Sequence, residues 1–412
     1  MSTDGTESGP SDPGPSDDER PTMECAKCEL YVPAGEFCGW CGGNLDEEKS
    51  KGPKWLRINA FSASPGEHLL RPNIVSSLFP QLPPRSRMVF LIGLGLLLAA
   101  LVAATLFRLP AALITVAALG LPLLFLIYLQ EADVHRDIQS TTLILTAALG
   151  IFLGVGWVLL TGAAVARSYG VPLGAGISGT RMLRDGLGVP VGGMILMLAP
   201  AALVRLFRPG SREALDGFAL GALGALMFSG AATLTRLAPQ FTTGMVAKAR
   251  PMEGLIVEAG IRGIAVPLTA ACVGGLVGAA LWFTRPANKK EHGRSYVQLL
   301  LALMALAVIA MYAAIGLVDA ARVPQLLQLA VHLTMAAIAL MALRFGLQLA
   351  LLHEEHDDVH EDEPILCPQC GHVVPDMAFC VACGAATRGA SRSSRRARRD
   401  TRPVHIEPGT GS

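Results

Sequence analysis

An all-α polytopic membrane protein of about eight transmembrane helices, with a small cysteine-framed domain at each end, is the fold this sequence predicts. Three observations lead there. The 412 residues are 51% hydrophobic and only 16% charged, and the mean hydropathy is +0.45. Between 88 and 352, apolar runs recur at close to the roughly 20 residues a bilayer crossing requires. Two cysteine quartets of identical spacing, Cys25, Cys28, Cys38, Cys41 and Cys367, Cys370, Cys380, Cys383, stand on either side of that core.

In chain order, 1–22 read as a disordered acidic tail, rich in Ser, Pro, Gly and Asp; without an apolar stretch they carry no expected secretory signal. The first cysteine frame covers 23–45. Residues 46–84 hold Trp55, Phe61, Leu69, Leu78 and Phe79, interrupted by Pro65, Pro72, Pro80, Pro83 and Pro84. Such a segment is too broken to span, and it reads as a linker or as a segment lying at the headgroup layer. The transmembrane domain is 85–352, with spans expected near 88–107, 111–129, 143–165, 187–207, 215–234, 261–283, 297–318 and 326–352. An acidic, histidine-containing linker (353–364), the second cysteine frame (365–386) and a disordered basic tail (387–412) complete the chain.

The two frames match beyond sulfur, since Pro33, Phe37 and Gly42 share offsets with Pro375, Phe379 and Gly384. Four thiolates from two Cys-x-x-Cys turns suit a closed tetrahedral Zn2+ site. A segment of about twenty residues has too small a core to fold alone, so the metal supplies its stability. Each frame therefore reads as a zinc ribbon with one structural Zn2+, disulfides and rubredoxin-like iron being the other chemistries such spacing allows. With no open coordination position, these sites do not catalyse.

An even span count puts both termini on one side, and reduced thiols place that side in the cytosol of a cell whose plasma membrane holds the bundle. The arginines of the loops divide too evenly for the positive-inside tendency to decide the matter alone. Ribbons on one side with one frame are expected to pack together as a double ribbon. Arg388, Arg392, Arg395, Arg396, Arg398, Arg399 and Arg402 make the final tail basic; anionic lipid, RNA or the acidic N-terminus are its candidate partners, a solvated tail the plainer outcome. With net charge +1, nothing global points to specific nucleic-acid binding. Arginine well above lysine, with Ala, Gly and Leu dominant, is a composition found in high-GC bacteria.

Leu126 to Asp133, Val189-Pro190-Val191-Gly192-Gly193, Leu215 to Gly221, Val266-Pro267-Leu268 and His332 follow one another along the hydrophobic core. This succession resembles the PrsW family of intramembrane metalloproteases, relatives of the CAAX-processing peptidases, over about two thirds of the chain. The resemblance implies a protease scaffold whose chemistry is gone. Gly192 and Gly193 stand where the family's Glu-Glu pair would be, and Leu196 where its lysine would be. Phe228 is kept from a Phe-x-x-x-Glu-Asn motif, but Ala232 and Thr233 follow it; the histidine expected after Pro-Leu is replaced around Ala270. A lone His332 cannot hold a catalytic zinc, which needs several ligands and a carboxylate base.

Other candidate chemistry is weaker. His332 in an apolar span reads as a neutral histidine bonded to a neighbouring helix, with ion or proton handling as the rival. Glu258 and Arg262 are one turn apart and suit a helix-face pair or interfacial snorkelling. Glu131, Asp133, His135 and Asp137 gather at a helix end, where solvation outweighs cation binding. His356 and His360 have zincin spacing without its glutamate. Cys272 reads as core packing, and Gly93, Gly95, Gly150, Gly154, Gly156, Gly274, Gly275 and Gly278 as close helix contacts.

The function these residues lead to expect is a non-enzymatic membrane scaffold or regulator with no catalytic residues. Its partners would be membrane lipids, a cytosolic protein docking on the ribbons, and a membrane-protein client in the bundle. A transporter or channel and an active intramembrane metalloprotease are the alternatives.

Overall fold

A computed structural model of the chain describes residues 21–46, 53, 55–56, 58, 60–64, 66–168, 184–207, 213–242, 252–283, 293–320, 323–355 and 359–401. The acidic start, His356 with its two following aspartates, Arg402 and the rest of the basic end lie outside the described residues, as does most of the Gly-rich loop before the fourth span.

Among the described residues, eight helices are long and apolar enough to cross a membrane: Ser86–Leu106, Pro110–Glu131, Ser140–Ala163, Gly186–Phe207, Ala214–Phe241, Glu253–Trp282, Tyr296–Asp319 and Gln325–His353. The fifth and sixth form the centre, being 78% and 72% buried where the third is 17%. Their axes approach closely because Gly217 and Gly221 face Gly274 and Gly278; a Cβ on any of the four would meet backbone of the opposite helix. Gly150 and Gly154 bring the third span onto the fifth in the same way, whereas Gly95 and Gly156 face open space and are not helix contacts. The sixth span begins earlier than its hydropathy indicates, because a helix at Met252–Gly260 runs into a π turn at Ile261–Ala265 and on into Val266–Trp282.

The segment 46–84 differs from a headgroup-layer linker. Phe61, Leu69, Leu78, Phe79 and Leu82 are buried in the main core, with Phe79 against Phe90 and Tyr128 at ring separations of 4.9 and 5.4 Å. Its irregular backbone is stabilised by two polar side chains of the eighth span. Arg344, fully buried, donates to the carbonyls of Leu69 (2.9 Å) and His68, to the Ser76 hydroxyl (2.8 Å) and to the Glu67 carboxylate (3.1 Å). Its guanidinium lies 4.0 Å from the Phe61 ring centroid. Gln348 accepts from the Ser62 amide at 2.6 Å and donates to the Ala60 carbonyl at 3.0 Å. Non-helical backbone buried in a core requires partners of this kind.

The tail expected to be disordered is helical over Arg392–Asp400. Ser391 caps it, accepting from Ser394 N–H, while Asp137 accepts from the amides of Arg392 and Ser393. A carboxylate at a helix N-terminus satisfies orphan donors and complements the dipole. Arg392 then pairs with Asp216 (2.9 Å), Arg395 with Glu213 (2.8 Å) and Arg399 with Asp376 (2.9 Å). The basic face thus meets acidic residues of the same chain.

Candidate metal centres and intramembrane cavity

Each ribbon begins as a short antiparallel hairpin: β1 (Thr22–Glu24) with β2 (Tyr31–Pro33), and β3 (His360–Leu366) with β4 (Val373–Asp376). The second therefore starts inside the stretch expected to be an acidic linker, because His360 already pairs with Asp376. Every Cys-x-x-Cys turn closes on a bond from the residue after its second cysteine to the carbonyl of its first. These bonds, from Glu29, Gly42, Gly371 and Gly384, are all 2.8 Å. All four residues are left-handed, with φ of 58°, 65°, 73° and 71°, which glycine adopts without the cost a side chain incurs.

The turns gather four sulfurs in each ribbon within 4.8 Å of one another. Cys25–Cys41 and Cys28–Cys38 are 3.6 and 3.7 Å apart; Cys367–Cys383 and Cys370–Cys380 are 3.9 and 3.8 Å. A tetrahedron with metal–sulfur bonds of about 2.3 Å has edges of about 3.8 Å, whereas a disulfide needs about 2.05 Å. None of the nine cysteines is in a disulfide. Burial and neighbouring sulfurs push the Cys28 thiol up to about 11. At Cys380 the bond with Cys367, then burial, drives the thiol to about 12, while bonds from Cys380 and Cys383 hold Cys367 down near 2. Four sulfurs this close do not ionise together on their own; a cation at the centre lets all four be thiolates. The donor set thus fits a tetrahedral metal ion, and these eight cysteines would hold two.

The two ribbons pack face to face with near two-fold symmetry. The amides of Glu36 and Phe37 donate to the Val381 carbonyl (3.0 and 2.9 Å), and the Phe379 amide to the Gly39 carbonyl (2.8 Å). Phe37 lies over Gly384 and Phe379 over Gly42. The pair is tied to the bundle through Gln81, which donates to the Ala386 carbonyl, and Gln369, which accepts from Arg87 at 3.1 Å.

At the opposite end, between spans three to eight, a cavity of about 690 Å³ opens. Gly193, Phe228, Ala232, Thr233 and His332 all line it, so positions named by the protease resemblance do converge; Ala270 and Cys272 are instead fully buried in the core. Trp157 fills the space beside the glycines: a Cβ on Gly193 would lie 2.8 Å from its indole Nε1, and one on Gly192 would meet the ring. His332 Nε2 lies 2.9 Å from Asp319 Oδ1 of the seventh span, which also accepts from Gln328. Glu258, Arg262 and Arg236 face the same space. Sequence reasoning missed Arg236 and Asp319 there, and Arg344 at the other end.

The remaining candidates separate. Glu131 accepts from Ser86 and Asp133 pairs with Arg136, His135 is exposed, and Asp137 caps the tail helix. His360 is an exposed strand residue. Among the described residues, three or more metal-binding side chains come together only at the two cysteine quartets. Comparison with family models, with curated proteins and with solved structures gave no match to this chain.

Proposed function

We propose that the chain is a non-enzymatic multi-pass membrane regulator or scaffold, a PrsW-like bundle that has lost its proteolytic chemistry, bearing a zinc-stapled ribbon pair. The observation that carries this reading is Trp157 packed where side chains on Gly192 and Gly193 would stand. Substitution alone would leave an empty site, whereas the indole makes the wall a packed surface. Ala232 and Thr233 add no carboxylate, and His332 is already engaged by Asp319. Zinc is the metal assigned to both quartets, since closed four-thiolate sites are its structural form. Both ends then lie in the cytosol, where thiols stay reduced, and the bundle in the plasma membrane.

The ribbon pair is the surface that docks a cytosolic protein. Met23, Leu30, Tyr31, Leu366 and Val373 are exposed on its strands and adjoining turn, with Tyr31 73% accessible, and apolar groups so placed favour protein contact. The bundle is the part that engages lipid or a membrane-protein client.

Reconstituted protein supplied with zinc should leave transmembrane peptides uncleaved, and disrupting either ribbon should release the cytosolic partner while the bundle stays folded. Cleavage dependent on His332 would overturn the reading. A transporter or channel is the second reading, favoured by the charged cavity; solute flux across proteoliposomes, abolished by filling the cavity with Ala232→Trp, would establish it instead.

A further inference from the structure

The cavity has a charge arrangement that neither docking nor a lost protease requires. Arg236 ends the fifth span, and Arg262 sits one helix away on the π turn of the sixth. Arg262 feels the positive charge of Arg236 as well as the negative charges of Glu258 and Asp319. Among the described residues no hydrogen bond or ion pair joins either guanidinium to a side chain, while Asp319 is taken by His332 and Gln328. Arg236 is exposed and Arg262 partly buried; Glu258 and Asp319 offset part of the charge at Arg262, and both guanidiniums line the cavity with donors that an oxyanion could take. π turns inside helices are frequent at functional sites.

Arg236, Arg262 and Thr233 give the lining a polar part, and Trp157, Met194 and Phe228 give it an apolar one. A volume of about 690 Å³ exceeds what a bare inorganic ion fills and lies within the range of small-molecule sites. We infer that the cavity binds an amphiphile with an anionic head, phosphate or carboxylate, its head between Arg236 and Arg262 and its apolar body against Trp157. This deepens the regulator reading by giving the bundle a ligand; it rests on that reading only in treating the cavity as non-catalytic. Guanidinium pairs hold such oxyanions through forked hydrogen bonds.

The test uses the full chain in neutral maltoside micelles and follows tryptophan fluorescence as 12-bromododecyl phosphate is added. Saturable quenching is expected, absent in Trp157→Phe, and at least tenfold weaker in Arg236→Gln and in Arg262→Gln. 12-Bromododecanol should not quench saturably, which makes the head group the determinant. Inorganic phosphate should compete weakly if the site takes free anions, whereas displacement by an anionic phospholipid, and not by phosphate, would make the source the membrane. Zinc content and melting temperature of each variant serve as folding controls, and Thr233→Phe, which narrows the cavity without touching charge or adding a tryptophan, should also abolish quenching. Equal quenching by the alcohol, or quenching unchanged in both arginine variants, would overturn the inference while leaving the absence of proteolysis to its own assay.

Discussion

Phe37 and Phe379 exchange places across the ribbon pair: the ring of each covers the glycine that closes the other ribbon's second turn, Gly384 and Gly42. Both glycines are left-handed and closely covered, so neither a side chain nor a shifted ring is tolerated at that contact. Phe379 is 1% exposed, and Phe379→Ala should cost about 3 kcal/mol through lost burial and a residual cavity. Hydrogen exchange at the Phe37 and Phe379 amides, both bonded across the contact, should accelerate together, with both metal sites still filled.

Arg344 joins the eighth span to 46–84 through five hydrogen bonds. Arg344→Leu leaves the Glu67 carboxylate and two carbonyls without that donor, a loss of about 3–5 kcal/mol for a buried pair broken on one side. Limited proteolysis should then cut between 60 and 80, where the parent protein resists. Unchanged resistance would mean that apolar packing alone holds the segment.

Glu354, beyond the eighth span, supplies a pH dependence. Burial pushes its carboxyl up to about 7, against the opposing pull of Arg388 at 3.5 Å and the Ala214 amide at 2.9 Å, with Glu213 and Asp216 adding to the rise. Between the ordinary value of 4.5 and about 7, the folded chain keeps a proton that the unfolded chain has released. Stability therefore falls as pH rises across this window, by about 3 kcal/mol at 1.36 kcal/mol per unit, and levels off above it. Melting temperatures from pH 4.5 to 8 should show that decline, and Glu354→Gln should make it shallower.

The tail helix is held by charge. Glu213→Gln removes the acceptor shared by Arg395 and Arg392 and should raise the rate of tryptic cleavage within 392–400 about tenfold, a shift of about 1.4 kcal/mol in docking. Salt should produce the same effect in the parent, since part of the contact is solvent-accessible and screened.

Much of this architecture is legible in the residues. The quartets read directly because metal geometry fixes both ligand type and spacing, and the spans because hydrocarbon demands a continuous apolar run. Arg344 escaped because one charge hardly moves a hydropathy average, and Glu67 lies 277 residues away. The fate of the basic tail was illegible for the same reason: its partners Asp137, Glu213 and Asp216 meet only after the helices assemble. Trp157 looked like any apolar residue of a span until its packing on Gly192 and Gly193 was visible. Patterning reports the faces of single elements, and it is silent on which distant polar groups those faces will meet.

Metal content of the purified full chain, measured by mass spectrometry with thiol titration before and after denaturation, tests the central claim most directly. The account predicts two zinc ions per chain, one lost with Cys25→Ser and Cys28→Ser and the other with Cys367→Ser and Cys370→Ser, and all cysteines reduced. Metal-free protein with oxidised cysteines, or a third ion that survives all four substitutions and disappears with His332→Ala, would contradict it.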